Sequence, residues 1–302
     1  MKKTIFKILG ISLLSLPLFA NAAEKILVSG QTWKDIAIID KASGKIEWST
    51  TPKGARVINC VTMDKAGNIV LAGQNKIMKI SRDKEVLWEY EVASNEETHF
   101  VKALDNGNYL IGICGTPSRI VEMDENKKII KELNFDSKQE VPHSQFRHIN
   151  STKDDTYLIT ILKGRELVEM DKKTGEILSR DPLDTSKSTF GTIELKNGNL
   201  LVSFDAKAPK GQGEDSIGGI IEIDRKTKQL IRQIVPNGHK LAFPCQVIEL
   251  DNGNLMIANW NGHSRVKDAS KIIEIDKDGN VVWFLKDIPE VKNIASIYLF
   301  DE

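Results

Sequence analysis

One short unit recurs six times along this 302-residue chain, and it limits the possible folds more than any other feature. It is an apolar run closed by an aspartate, then a polar turn, then a second apolar run. The copies read IIDKASGKIEW, KISRDKEVLW, VEMDENKKII, VEMDKKTGEIL, IEIDRKTKQLI and IEIDKDGNVVW. Their closing residues, Asp40, Ser81, Asp124, Asp171, Asp224 and Asp276, lie 41, 43, 47, 53 and 52 positions apart. Apolar positions in these runs do not follow the helical spacing of 3.6, and a repeat of this length without helices belongs to propeller blades.

A second unit precedes every copy from the second onward: VTMDKAGNIVLAG, KALDNGNYLIG, NSTKDDTYLIT, IELKNGNLLVS and IELDNGNLMIA. Asn-Gly and its relatives between apolar runs predict a tight hairpin in which both central residues take positive φ. Each blade is therefore expected to hold four antiparallel strands, the innermost joined to the second by the Asn-Gly type turn. The third is joined to the outermost by the turn after the aspartate. Six outer hairpins but only five inner ones leave the first blade short of its innermost strand. Residues 296–301 supply it by pairing with residues 25–29, which closes the ring and leaves no open sheet edge. The expected fold is all-β: a six-bladed propeller of four-stranded blades, one domain over residues 23–302. Trp48, Trp88 and Trp283, at matching places on outermost strands, are expected to pack between blades.

The N-terminus reads as a leader. Lys2, Lys3 and Lys7 precede an apolar run over residues 8–19, and Ala20-Asn21-Ala22 is a cleavage signature, so residues 1–22 are expected to be a signal peptide cut near Ala22. The mature protein is then periplasmic or secreted. No later run approaches the length of a membrane span. Cys60, Cys114 and Cys245 allow at most one disulfide, and the thiol left over is expected to be buried. Lysine and arginine balance aspartate and glutamate at 42 each, with no concentrated basic run, which speaks against nucleic acid as a partner.

In a propeller of this connectivity the tight hairpins share one face and the variable connections share the other, where binding groups usually sit. All five histidines fall on the variable face or its rim: His99, His143, His148, His239 and His263. Arg56, Arg119, Arg147 and Arg265 accompany them, with Trp33 and Trp260 in corresponding loops of neighbouring blades. The densest stretch is residues 143–150, where His143, Arg147, His148 and Asn150 stand together. His99, His148, Cys60 and Cys245 are expected to converge on the central channel. The candidate catalytic residue is His148. The candidate ligand-binding residues are His99, His143, Arg147, His239, Trp260, Asn261, His263 and Trp33. No H-E-x-x-H, Cys-x-x-Cys or calcium-loop spacing is present, so no metal site is assigned, although ligands from separate blades could still meet. The glycine-rich residues 207–219 lack the strand–glycine–helix setting of a phosphate cradle and read as a rim segment.

The repeats, as in residues 38–48 and 273–283, resemble pyrroloquinoline-quinone-like propeller repeats over nearly all of the mature chain. Quinone dehydrogenases of that superfamily have eight blades and a longer chain, so the resemblance implies a fold and leaves the cofactor unassigned. A shorter stretch, His143-x4-His148-x-Asn150 with Asp155 and the repeat that follows, resembles periplasmic arylsulfotransferases. That likeness implies a histidine, here His148, which accepts a sulfuryl group while cationic neighbours hold the charge on its oxygens. The arginine of that pattern would fall near Leu162, where only Lys163 and Arg165 are adjacent.

The leading expectation is a monomeric periplasmic propeller that binds a small polar or anionic molecule at the variable-face mouth of its channel, with tryptophans as platforms. The alternatives are a histidine-dependent transferase or hydrolase and a scaffold that binds an envelope protein. The sequence does not decide whether the protein is an enzyme.

Overall fold

The computed structural model describes residues 25–30, 35–55, 57–183, 185, 188–204, 218–262, 266, 268–286 and 288–301. Twenty-four strands form six separate four-stranded antiparallel sheets arranged as the blades of a propeller. Five sheets are built from consecutive strands. The sixth takes Ser296–Phe300 as its innermost strand, paired residue for residue with Lys25–Ser29, so both ends of the described chain close one blade.

The repeat aspartates have a local task. Asp40, Asp171 and Asp224 each accept, through Oδ1, the backbone N–H three residues on, from Ser43, Thr174 and Thr227 at 2.6–2.7 Å. Asp124 and Asp276 reach the fourth residue instead, Lys128 and Asn280. A carboxylate that folds back on its own turn fixes the outer hairpin without long-range help. The inner hairpins differ from the sequence expectation. In four of the five only the glycine takes positive φ, at 81–87° in Gly67, Gly107, Gly198 and Gly253, and the residue before it stays at negative φ; in the fifth, Asp155 takes that place at 57°. Each glycine N–H closes a turn on the carbonyl three residues back, as Gly107 does on Leu104. This is the three-residue loop with a left-handed final residue, which only one glycine needs to satisfy.

The second and third strands are buried on both faces, whereas the residues of the outermost strands are largely half-buried or exposed. The core is therefore the set of seams between neighbouring blades, where Ile, Leu and Val from facing sheets interlock. Each such side chain contributes about 1.5–3 kcal/mol on burial. The outermost strands add a contact of their own. Trp48 Nε1 donates to the Arg82 carbonyl at 2.8 Å, Arg232 Nη1 to Lys277 at 2.7 Å and Trp283 Nε1 to Lys41 at 3.0 Å; Lys131 Nζ reaches the Lys172 carbonyl in the same way. In every case the acceptor directly follows the turn residue of the next blade. Trp88 packs edge-on against Tyr109 of the next blade, with ring centroids 5.4 Å apart. The expected interblade role of the three tryptophans therefore holds.

Candidate functional site

Five of the six innermost strands carry an irregularity at the same place. Pairing with the second strand shifts between Ile58 and Cys60, Thr98 and Phe100, Phe146 and Ile149, Thr189 and Gly191, and Pro244 and Gln246. At each, the inner strand has one residue more than its partner. A bulge of this kind re-aims side chains. Those at the bulges, Asn59, His99, Arg147, His148, Phe190 and Cys245, line one small cavity together with Phe243, Trp260 and Ala295. All six blades contribute, so the cavity lies on the axis of the ring. The strand that closes the first blade has no shift and offers Ala295 from just before its start.

The cavity measures about 20 Å³, room for about one water molecule. Aromatic rings wall one side: Phe190 and Phe243 meet edge-on at 4.1 Å, and Phe243 meets Trp260 at 5.3 Å. Past His148 and Cys245, which border both spaces, lies a channel of about 720 Å³. It runs between the innermost strands toward Lys102, Asp105 and Lys196 at the tight-hairpin end. Among the described residues the wide part of the channel is thus at the face opposite the variable loops.

Arg147 is the most unusual group. Its guanidinium is buried, and burial lowers its affinity for the proton, yet it has no ion-pair partner among the described residues. Nη1 donates to the Phe146 carbonyl at 3.0 Å and Nη2 to the His143 carbonyl at 2.7 Å, while Nε has no acceptor. His148 is buried beside it. Burial first, and the Arg147 charge second, lower its pKa to about 4, against the pull of the Cys245 carbonyl. Burial and the same arginine bring His99 down to about 3. Both imidazoles are therefore neutral at pH 7. His99 Nε2 donates to Glu97 Oε2 at 2.7 Å and leaves Nδ1 without a partner. Burial works to raise the Glu97 carboxyl, but the bonds from His143 and His99 outweigh it and hold the group well below its ordinary range.

The remaining candidates divide. His143 is exposed on a one-turn 3-10 helix, Pro142–Ser144, and its Nδ1 lies 2.9 Å from Glu97 Oε2. Trp260 is 2% exposed and forms part of the wall, where the sequence reading had an open platform. His239 lies away from the cavity, bonded to Ser270 at 3.0 Å and tilted over Phe284. Asn261 donates to the Val266 carbonyl at 2.7 Å, also outside the cavity lining. Trp33, Arg56, His263, Arg265 and residues 207–217 lie outside the described residues. All three cysteines are buried and joined in no disulfide, with burial pushing the Cys114 thiol up to about 12. Sequence reasoning missed Glu97, Asn59 and Phe190. Only Glu97 carried a signal, two residues before His99 on one strand.

A family model described as outer membrane protein assembly factor BamB matches residues 13–233. A crystal structure of a protein of unknown function from Bacteroides caccae is 30% identical, covering 93% of this chain and 100% of that one, with a TM-score of 0.80. Virginiamycin B lyase from Staphylococcus aureus, 16% identical, covers 92% of this chain and 88% of its own at a TM-score of 0.59. Hydrazine synthase of Kuenenia stuttgartiensis, 10% identical, covers 92% of each at 0.61. The last two are alike in fold alone. No curated protein sequence matches.

Proposed function

We propose, for a chain that belongs to the propeller-repeat family described as outer membrane protein assembly factor BamB, that it is a periplasmic protein which binds a small anion-headed molecule on the propeller axis. The mature form is residues 23–302, freed from a leader cut near Ala22. One observation carries the reading: the buried Arg147 guanidinium, without a carboxylate partner among the described residues, borders a small cavity lined by both polar and aromatic side chains. Keeping a cation out of water is costly unless an anion or a full set of acceptors meets it. A carboxylate, sulfate or phosphate head seated in the channel beside His148, with one oxygen reaching into the one-water space, would supply the charge and an acceptor. The body of the ligand would fill the 720 Å³ channel. His148 and His99 add neutral hydrogen-bonding groups, and Phe190 and Phe243 close the far side.

Calorimetric titration of the untagged protein with a panel of small carboxylates, sulfates and phosphates tests the proposal. Removing a charge-assisted hydrogen bond costs about 1.5–3 kcal/mol, so Arg147→Gln should weaken binding by about 10- to 100-fold. A melting curve on the same variant verifies that it is folded. Equal affinity in wild type and Arg147→Gln would refute the location. No binding across the panel, with a specific envelope protein captured by crosslinking, would favour an assembly role instead.

A catalytic version rests on His148. A neutral imidazole beside a fixed cation is suited to attack a sulfuryl or acyl centre while Arg147 holds the charge that develops on oxygen. Turnover of an aryl ester or sulfate that vanishes in His148→Ala, with ligand affinity retained, would distinguish this reading from binding alone.

A further inference from the structure

Glu97 and His99 stand two residues apart on the innermost strand of the third blade, Glu97–Ala103. His143 comes from the crossing to the fourth blade. The three donor atoms lie within 4.8 Å of one another. His99 Nε2 and His143 Nδ1 both aim at the same carboxylate oxygen, at 2.7 and 2.9 Å, and their rings meet edge-on with centroids 5.4 Å apart. Two imidazole nitrogens and one carboxylate oxygen converging on a point, with one side open to solvent, is more than a buried ion pair requires.

We propose that Glu97, His99 and His143 form a binding site for a divalent transition-metal ion of the zinc class at the rim of the axial cavity. The donor set is nitrogen-rich, which selects zinc, cobalt, nickel or copper over magnesium and calcium. Metal–ligand bonds of about 2.0–2.2 Å would need the two nitrogens to draw back from the shared oxygen by about half an ångström. The structure allows this, because His143 is 56% exposed on a single helical turn. Glu97 is held from behind. The Gln74 amide donates to the other Glu97 oxygen at 3.3 Å, an outer-shell support of the kind that orients metal ligands. Binding at His99 Nε2 moves the ring proton to Nδ1, the atom that otherwise has no partner, on a side chain that lines the cavity. Three protein ligands leave the coordination sphere open on the His143 side. Arg147 is the opposing charge close by: its Nη2 holds the His143 carbonyl and thereby the turn that carries the ligand.

The site stands independently of the anion reading, since it uses neither the channel nor the Arg147 guanidinium as a ligand. The test is titration of untagged, chelator-stripped protein at neutral pH with Zn²⁺ alone and with Co²⁺ alone, the latter read by its visible bands. One equivalent of each is expected. His143→Ala, an exposed change that leaves the core intact, and Glu97→Gln should each weaken binding at least about 10-fold. His239→Ala, a histidine outside the cluster, should leave it unchanged. The proposal is overturned if neither ion binds saturably, or if binding is unaltered in both His143→Ala and Glu97→Gln.

Discussion

His148 and His99 link the axial cavity to the acid stability of the protein. In the unfolded chain an imidazole takes up a proton near pH 6.5, whereas in the folded state burial and the Arg147 charge delay this to about 4 for His148 and about 3 for His99. Between those limits the unfolded chain binds more protons. The stability from these groups is therefore complete above about pH 6.5 and lost as the pH falls. Glu97 acts in the same direction lower down: its carboxyl is held below the usual 4.5, so its contribution also fades in acid. Denaturation midpoints should drop from pH 7 to pH 5, and His148→Gln should flatten that drop. A midpoint with the same pH dependence in wild type and His148→Gln would contradict the assignment. The residues behind this behaviour were only partly legible. His99, Arg147 and His148 stood out as polar groups on an apolar strand, but Glu97 looked like an ordinary surface acid.

At the scale of the element, two devices repeat. The bulge on the innermost strand turns a regular edge of the ring into a set of side chains that line the axial cavity. It could not be read in advance, because these strands are buried almost throughout and show no alternation from which side-chain direction follows. The clamp between outermost strands was easier to anticipate, since bulky residues recur at matching positions. Its members differ in a way only geometry shows. Trp283 Nε1 donates across to Lys41, whereas Trp88 Nε1 is buried with no acceptor. Trp283→Phe should therefore cost about 1 kcal/mol from the lost hydrogen bond. Trp88→Phe should cost less, because it removes a polar atom that nothing satisfies. Urea unfolding of the two variants measures the difference, and equal losses would count against the clamp.

For the whole molecule, closure is the governing fact. Removing residues 296–302 would expose the full length of Lys25–Ser29, whose residues are all buried, and would open the ring between its first and last blades. Such a chain should lose its single cooperative unfolding transition and become prone to aggregation through the bare edge. An unchanged midpoint would show that the closing strand is dispensable. Closure also explains how a long chain brings distant residues onto one axis: Asn59 and Ala295 border the same 20 Å³ cavity.

The sequence by itself determined the blades, their number and the partner of the last strand. Those properties follow from local patterns, apolar runs and turn residues, which each blade satisfies within its own 41–53 residues. The tertiary structure decided which side chains meet. It placed Trp260 in a wall, His239 outside the cavity and the wide end of the channel at the tight hairpins, and it brought Glu97 to His143. These follow from one-residue bulges and from packing between blades, and neither leaves a periodic trace in the chain.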